Sequence, residues 1–328
     1  MNASVAGVDS EVNKHLECIG CGATGIWRRT GRPRVRSNSV LQRFRCKRCG
    51  EQIVVKLARA NHAAAENEGI RREYQALCRL QRLLALDNGL GVLTPLACME
   101  VGGRAIMVTR WFEGEDAIRR ARSMDSTELA MVYRSAGTLL RRLHDSNAEH
   151  DLAGPLDVDS KIAYLMQRYG TCLEKSRAAA RALNVLRELA PGVATAKLRW
   201  SRTHGDFKPE NILCDARTVV ILDTTLGVRG AIVYDMASFL DHVLLAGCAF
   251  GNRRIRSDFA LLERAFLTGY GALEPGSMTA LRWAQLYFML CYFGRYRSDG
   301  VFSAIYADRR VAPLLARLTM DLERQVSI

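Results

Sequence analysis

The chain is short of several features that would each have set its class. No apolar run in its 328 residues approaches the ~20 residues that a helix needs to cross a bilayer. The opening stretch, MNASVAGVDSEVNKH, lacks the basic-then-apolar order of a secretory signal. A cytoplasmic location is therefore expected. Acidic residues are scarce in the first 60 positions, where Asp9, Glu11, Glu17 and Glu51 face 12 lysines and arginines. That segment carries +8 of a total net charge of +13. A basic segment of this kind is either a solvated face or a surface for a polyanion. Aromatics are nearly missing from it as well (only Trp27 and Phe44), which argues against stacking on nucleic-acid bases. What remains is ordinary: 48% hydrophobic residues, and enough length for two lobes.

Ten cysteines stand out against that background. In a reducing compartment they point to metal ligands and buried thiols rather than disulfides. Cys18-x-x-Cys21 and Cys46-x-x-Cys49 are each followed by glycine, in CIGCG and CKRCG. Two thiolates two residues apart grip one ion when the turn between them is tight, and Gly22 and Gly50 permit such a backbone. Four thiolates close a tetrahedral Zn²⁺ shell with no open position, so the expected role is structural. The 24 residues between the pairs exceed the usual ribbon spacing. Cys78, Cys98, Cys172, Cys214, Cys248 and Cys291 occur singly in apolar surroundings and read as core residues.

VLQRFRC before the second cysteine pair and EQIVVKLA after it both read as strands, which makes CKRCG the turn of a β-hairpin. Alternation sends Ile53, Val55 and Leu57 to one face and Val54 and Lys56 to the other. Lys56 is then either a snorkelling surface residue or a cation wanted in a cleft. The next segment, 62–86, has helical periodicity, with Ile70, Leu77, Leu80 and Leu84 in one stripe. Glu73 lies inside that stripe, where a carboxylate is costly unless a cation meets it. Lys56 is the natural partner, with Glu66 on nearly the same face as the second choice for the pairing.

VLTPLACMEV and RAIMVTRWFEG read as two further strands. Helices are expected at about 125–145, 157–170 and 172–190, with a break at Pro191-Gly192. The N-terminal third is thus strand-rich and the rest mostly helical, a two-lobed plan with a connector near 110–116. Two more helices near 256–271 and 277–296 could wall a substrate pocket. The second carries Trp283, Tyr287, Phe288, Tyr292, Phe293 and Tyr296, which at helical spacing read as core before they read as a stacking surface.

The stretch HGDFKPENIL, 204–213, concentrates a carboxylate, a lysine and a carboxamide in one tight loop. NILCD and VVILD flank the turn residues Ala216, Arg217 and Thr218, so a hairpin follows and ends at Asp223. Asn211 and Asp223 offer oxygen ligands suited to Mg²⁺, which takes few protein ligands plus phosphate oxygens. Asp206 is then available to orient a hydroxyl and accept its proton, and Lys208 to lie against a phosphoryl group. These are the parts that phosphoryl transfer requires.

Those motifs resemble a known family. HGDFKPENIL with ILD (221–223) is similar to the catalytic and metal-binding segments of the aminoglycoside phosphotransferase/choline kinase-like family, relatives of the protein kinases. IVVKLA resembles its nucleotide-lysine strand, RREYQALCRL its glutamate helix, and AGTLLRRLHD (136–145) its helix ending in Leu-His. YDMASFL (234–240) resembles the segment whose aspartate braces the catalytic loop, and AFLTGYG (265–271) a late helix. The resemblance covers roughly residues 51 to 296, with separate motifs in the right order.

It implies an α+β, bilobal protein kinase-like fold. A small β-rich N-lobe would carry a zinc-ribbon-like hairpin, a larger and mainly helical C-lobe would follow, and ATP or GTP would bind between them. The expected parts are 1–50 for the segment with the four-cysteine element, 51–112 for the rest of the N-lobe, and 113–328 for the C-lobe with its catalytic loop. Carried over by motif, Asp206 is the catalytic base, Asn211 and Asp223 hold Mg²⁺, and Lys56 holds the α/β phosphates with Glu73 bracing it. Backbone at Trp111, Phe112 and Glu113 meets the nucleobase, while His204 and Asp235 support the loop. The chain departs from the family in three places. TGRPRVRSNSV (30–40) stands where a glycine-rich phosphate loop is usual, offering Gly31, Ser37, Asn38 and Ser39 as donors. Thr224 and Thr225 follow Asp223, and the four-cysteine element is an addition.

The implied function is transfer of a γ-phosphate to a hydroxyl of a small molecule or glycan. The alternative is a kinase-fold binding protein whose basic ribbon, from Arg28 to Arg48, engages nucleic acid or anionic membrane.

Overall fold

The structure is a computed structural model that describes residues 7–36, 39–59, 63–84, 89–146, 154–224, 229–248 and 252–326. The chain divides into two compact units, Met1–Gly114 with Asp215–Leu226, and Glu115–Cys214 with Gly227–Ile328. In chain order the first unit holds α1 (Val8–His15), β1 (Trp27–Val35), β2 (Ser39–Cys46), β3 (Gln52–Ala58), α2 (Ala63–Leu84), β4 (Leu90–Val92), β5 (Pro95–Val101) and β6 (Arg104–Arg110). The second takes over with β7 (Glu115–Asp116), α3 (Ala117–Arg120), α4 (Ser126–Ser146), α5 (Val158–Glu174), α6 (Arg177–Ala194), β8 (Trp200–Arg202) and β9 (Ile212–Cys214). The chain re-enters the first unit for β10 (Val219–Ile221). It returns to the second for β11 (Arg229–Ala231), α7 (Val233–Cys248), α8 (Arg253–Ser257), α9 (Phe259–Tyr270), α10 (Ser277–Ser298), α11 (Val301–Tyr306) and α12 (Ala312–Val326). No helix among the described residues is long and apolar enough to cross a membrane.

In the first unit an antiparallel sheet runs in the order β1-β2-β3-β6-β5. The period-2 pattern of β3 is realised: Ile53, Val55 and Leu57 are buried in a cluster with Val8, Val12, Trp27, Phe44, Ile106 and Val108. That cluster places α1 and the cysteine turns against one face of the sheet. Lys56 points the other way, abreast of Leu41 and Met107 in the neighbouring strands, and α2 covers that side. Ile70, Leu77, Leu80 and Leu84 of α2 are buried as the stripe predicts. Asn67 ties α2 to the sheet, donating to Gly103 O at 2.9 Å and accepting from Ala105 N–H at 2.7 Å. β10 pairs in parallel with β4. Ser37 and Asn38, two of the expected phosphate donors, lie outside the described residues, as do His62, Leu86 and Thr225. Gly31 is exposed in β1, and Ser39 is buried opposite Ala58.

The second unit is helical. α4 starts at a capping box: Asp125 accepts from the Thr127 and Glu128 N–H groups, and Glu128 accepts from the Asp125 N–H. α4 and α9 cross at glycines. A Cβ on Gly137 would sit 2.1 Å from Phe266 O, and one on Gly269 would sit 1.9 Å from Arg134 O. Backbones that close leave no room for any side chain. The expected break at Pro191-Gly192 is overturned, because α6 continues to Ala194. Ala190 and Val193 bury the last turn, and that packing outweighs the one backbone bond a proline forfeits. The helix expected over 256–271 is interrupted at Asp258, whose backbone leaves helical geometry. Of the six single cysteines only Cys214 is fully buried, since the other five sit on helix or strand edges half open to solvent.

Candidate active site

In the first unit Lys56 Nζ lies 2.6 Å from Glu73 Oε2 and 2.6 Å from Asp223 Oδ1. β3 supplies the lysine, α2 the glutamate, and the residues after β10 the aspartate. Glu66 does not share the lysine; its Oε2 is buried without a partner among the described residues. Burial works against the charged lysine, but Glu73 and Asp223 outweigh it and hold Lys56 above the usual lysine range. Burial lifts Glu73 above the usual carboxylate range despite Lys56, and Asp223 adds to the rise. Two carboxylates meet on one ammonium here, and the half-exposed Asp223 is the one that a cation from solvent can reach.

Asp223 is also the one non-glycine residue with positive φ among the described residues, at 52°. Aspartate tolerates this left-handed geometry better than most residues, and its side chain stays half-exposed. The next residue, Thr224, is buried, with a hydroxyl that has no partner among the described residues. Trp111, at the end of the first unit, donates its backbone N–H to Gln52 O at 2.9 Å, and the Arg43 guanidinium lies 4.9 Å over its ring. Phe112 is half-buried and Glu113 exposed.

In the second unit the 204–211 loop is built around two aspartates with opposite fates. Asp235, buried at the start of α7, accepts from the His204 N–H (2.6 Å), the Gly205 N–H (2.9 Å) and His144 Nε2 (3.0 Å). Burial alone would raise its carboxyl; the His144 bond and charge, with the loop donors, hold it below the usual range instead. His144 Nδ1 in turn meets Tyr270 Oη at 2.9 Å. Asp206, by contrast, is exposed. Lys208 Nζ donates to its Oδ1 at 2.8 Å and Oδ2 at 2.6 Å, and Asn211 Nδ2 to its Oδ2 at 3.1 Å and its carbonyl at 2.9 Å. His204 Nδ1 accepts the Asp206 N–H at 3.3 Å. Asn211 is buried and donates only through Nδ2, so its Oδ1 meets no donor among the described residues. A carboxamide oxygen that meets no donor fits a hard cation such as Mg²⁺.

The loop brings Asp206, Lys208, Asn211, His204 and Asp235 together. The first unit brings together Lys56, Glu73 and Asp223. His144 and Tyr270 lay inside quoted motifs without an assigned role. The Leu-His end of α4 and the Gly-Tyr-Gly of α9 were the signals available for them.

A profile of the phosphotransferase enzyme family (APH) matches residues 34–275, about three quarters of the chain. The chain belongs to the phosphotransferase enzyme family. No curated protein sequence matches it. This phosphotransferase-family chain is similar to several solved structures. One is an amicoumacin kinase, hAmiN, in complex with AMP-PNP, Ca²⁺ and Ami (TM-score 0.60, 11% identity, 97% of this chain and 92% of that one). Another is a choline/ethanolamine kinase family protein from Mesorhizobium loti (TM-score 0.54, 16% identity, 96% and 97%). A third is the macrolide 2'-phosphotransferase MphH from Brachybacterium faecium (TM-score 0.53, 15% identity, 88% and 91%). At such identities the likeness shows the fold, which is kinase-like: a β-rich N-terminal part and a helical C-terminal part.

The family profile covers the second cysteine pair but not the first. In the structure the Sγ atoms of Cys18, Cys21, Cys46 and Cys49 all lie within 4.8 Å of one another. Cys18 and Cys49 are 3.4 Å apart and Cys21 and Cys46 3.8 Å. A tetrahedron with Zn–S bonds of about 2.3 Å has edges of roughly 3.8 Å, so the four sulfurs fit zinc. Gly22 and Gly50 hold the turns at φ 65° and 83°. Burial pushes Cys46 up, yet the N–H groups of Cys49 and Arg48, each 3.3 Å from its sulfur, outweigh it and bring it to about 6. Glu51 joins the cluster to β6, meeting Cys18 Sγ at 3.0 Å and Arg110 at 3.2 Å.

Proposed function

We propose that the protein transfers the γ-phosphoryl group of ATP or GTP to a hydroxyl of a small molecule or glycan. The observation that carries this reading is the pair of carboxylates closed on the Lys56 ammonium, two acids on one cation. A lysine held by a buried glutamate beside a half-exposed aspartate suits a site where phosphates and a divalent ion arrive together. Lys56 would hold the α/β phosphates, and Glu73 would keep its ammonium in place. Backbone around Trp111, Phe112 and Glu113 would meet the base.

Asp206 would accept the acceptor's hydroxyl proton as that oxygen bonds to phosphorus and the bond from phosphorus to the nucleoside diphosphate breaks. Lys208 and Asn211 orient its carboxylate, and Asp235 fixes the loop backbone beneath it. Asn211 and Asp223 would hold Mg²⁺, which when bound neutralises charge on the phosphate chain. The test is ³¹P NMR of ATP with the protein, with and without Mg²⁺. ADP formation that needs Mg²⁺ and is lost in Asp223→Ala, with the melting curve preserved, supports the reading. A fully active Asp223→Ala removes that residue from the metal site.

Cys18, Cys21, Cys46 and Cys49 would hold a structural zinc that cross-links the turn after α1 to the β2–β3 hairpin. Elemental analysis giving one zinc per chain, lost in Cys46→Ser, tests this. A second reading, contact with a polyanion, is favoured by one observation. Arg28 stands directly opposite Arg45 in the β1–β2 ladder, and neither has an acidic partner among the described residues. Like charges facing across a ladder are destabilising until an anion meets them.

A further inference from the structure

Between Val233 and Leu245, α7 is buried except at Tyr234, Ser238 and His242. That four-residue spacing puts the three on one stripe of the helix. Between Trp283 and Gly294, α10 is buried except at Phe288, Cys291 and Tyr292. The two stripes run along each other. Tyr234 meets Phe288 edge to face at 5.8 Å, and His242 meets Tyr292 at 5.3 Å, with Tyr292 Oη 2.9 Å from His242 Nε2. The aromatic row of α10 is therefore core only in part: Trp283, Tyr287 and Phe293 are buried, while Phe288 and Tyr292 keep a side open to solvent.

One end of this trough adjoins the catalytic loop. His242 Nδ1 is 3.9 Å from Glu210 Oε2, and the charge of Asp206 acts on both His242 and Tyr292. The other end is closed by Lys161 of α5, whose Nζ lies 5.2 Å over the Tyr234 ring and 5.7 Å over Tyr287.

We propose that this trough between α7 and α10 binds the phosphoryl acceptor, and that the acceptor is an uncharged ring compound of the sugar type presenting one hydroxyl to Asp206. The proposal rests on the phosphotransferase reading above and names its substrate class. Half-open aromatic edges and faces suit the C–H faces of a sugar ring. Ser238 and His242 both bond Tyr292, and the remaining capacity of these hydroxyl groups lies along the same line.

The charges argue against a polycation. Asp206 is met by Lys208, and Asp157 lies one helical turn before Lys161 and feels its charge. Glu210 feels the charge of Lys208 as Asp206 does and lies 3.9 Å from His242, so each of the three carboxylates named beside the trough has a basic group near it. His242 adds no positive charge at neutral pH, because burial first and Lys208 second push it down to about 4. A polycationic ligand would also have to approach the ammonium of Lys161.

Calorimetric titration of the full chain with two probes, 4-nitrophenyl β-D-glucoside and kanamycin, tests this. The glucoside is expected to bind, with kanamycin at least tenfold weaker. Removing one stacked ring, in Tyr234→Ala or Tyr292→Ala, should weaken the glucoside about fivefold. Ser238→Trp, at a half-exposed position, should fill the trough and abolish glucoside binding with the circular dichroism unchanged, which covers the case in which a ring deletion disturbs the fold. Lys161→Glu should raise kanamycin affinity, a gain that no loss of structure produces. Kanamycin binding tighter than the glucoside, no glucoside binding, or full binding in Ser238→Trp overturns the proposal. Mg²⁺-dependent ATP hydrolysis by the unaltered chain reports separately on the underlying reading. Hydrolysis without glucoside binding removes the trough alone, whereas binding without hydrolysis removes the phosphotransferase reading and leaves a ring-binding site.

Discussion

The two units treat their carboxylates in opposite ways. In the first, Glu73 and Asp223 compete for one ammonium, and Asp223 holds a left-handed backbone to do so. In the second, Asp235 is more deeply buried yet takes three donors and sits below the usual carboxylate range. A carboxylate supplied with all its donors is scaffold. A pair that meets on one ammonium, with one member half-exposed, is open to a ligand from solvent.

Disrupting each cluster should separate the two cases. Lys56→Met is expected to have the largest effect: loss of nearly all Mg²⁺-dependent turnover, and destabilisation of about 3–5 kcal/mol because Glu73 is left buried and uncompensated. Adding Glu73→Gln should restore the melting temperature and not the turnover. If it restores both, the lysine is structural. Asp223→Asn should lose turnover without losing stability, since the side chain is half-exposed and asparagine tolerates the same backbone; a melting temperature lowered by more than a few degrees would count against this. Asp235→Asn should cost roughly 2–4 kcal/mol, because an amide cannot accept from three donors as a carboxylate does. Turnover should fall with it, since the His204–Asp206 backbone loses its anchor.

The pH dependence adds a third group to the contrast. His242 is pushed down to about 4 in the fold, against about 6.5 in an unfolded chain. Its neutral form is therefore favoured on folding, and the unfolded state takes up the proton first. Stability from this group is fully present above about 6.5 and is lost as pH falls towards 4, by at most roughly 3 kcal/mol. Urea titrations at pH 7 and pH 5 should show the loss, and His242→Gln should remove that part of it. The smallest effect is expected at the ribbon. Arg28→Gln should stabilise by less than about 1 kcal/mol at low salt, and the gain should fade as salt is added.

Much of this was legible in the sequence. Alternation in β3 put Lys56 opposite Ile53, Val55 and Leu57, and helical spacing put Glu73 among the buried residues of α2. Both follow from local periodicity, which a single sequence displays. The two CxxCG turns were legible from their spacing and the glycine that follows each, which are local as well. α1 was not foreseen: eight residues with only Val8 and Val12 buried give too short a pattern to recognise. β4, β8 and β11 were also missed: three residues carry no period, and unlike β9 and β10 they do not flank a recognisable turn. The aromatic row of α10 was read as core, and only the burial of each residue shows that Phe288 and Tyr292 depart from it. His242 left no signal, because its meaning comes from Tyr292 on another helix. The persistence of α6 through Pro191 was decided by packing that local rules do not contain.

Asp206 is assigned the acceptor's proton, and Lys56 with its carboxylates the nucleotide. The two roles separate in Asp206→Asn, with Mg²⁺-dependent ATP turnover and calorimetric MgATP affinity measured beside the unaltered protein. Turnover should drop by about 10²–10⁴-fold while affinity stays within about twofold. Equal turnover in the two proteins, or none in either, would refute the assignment.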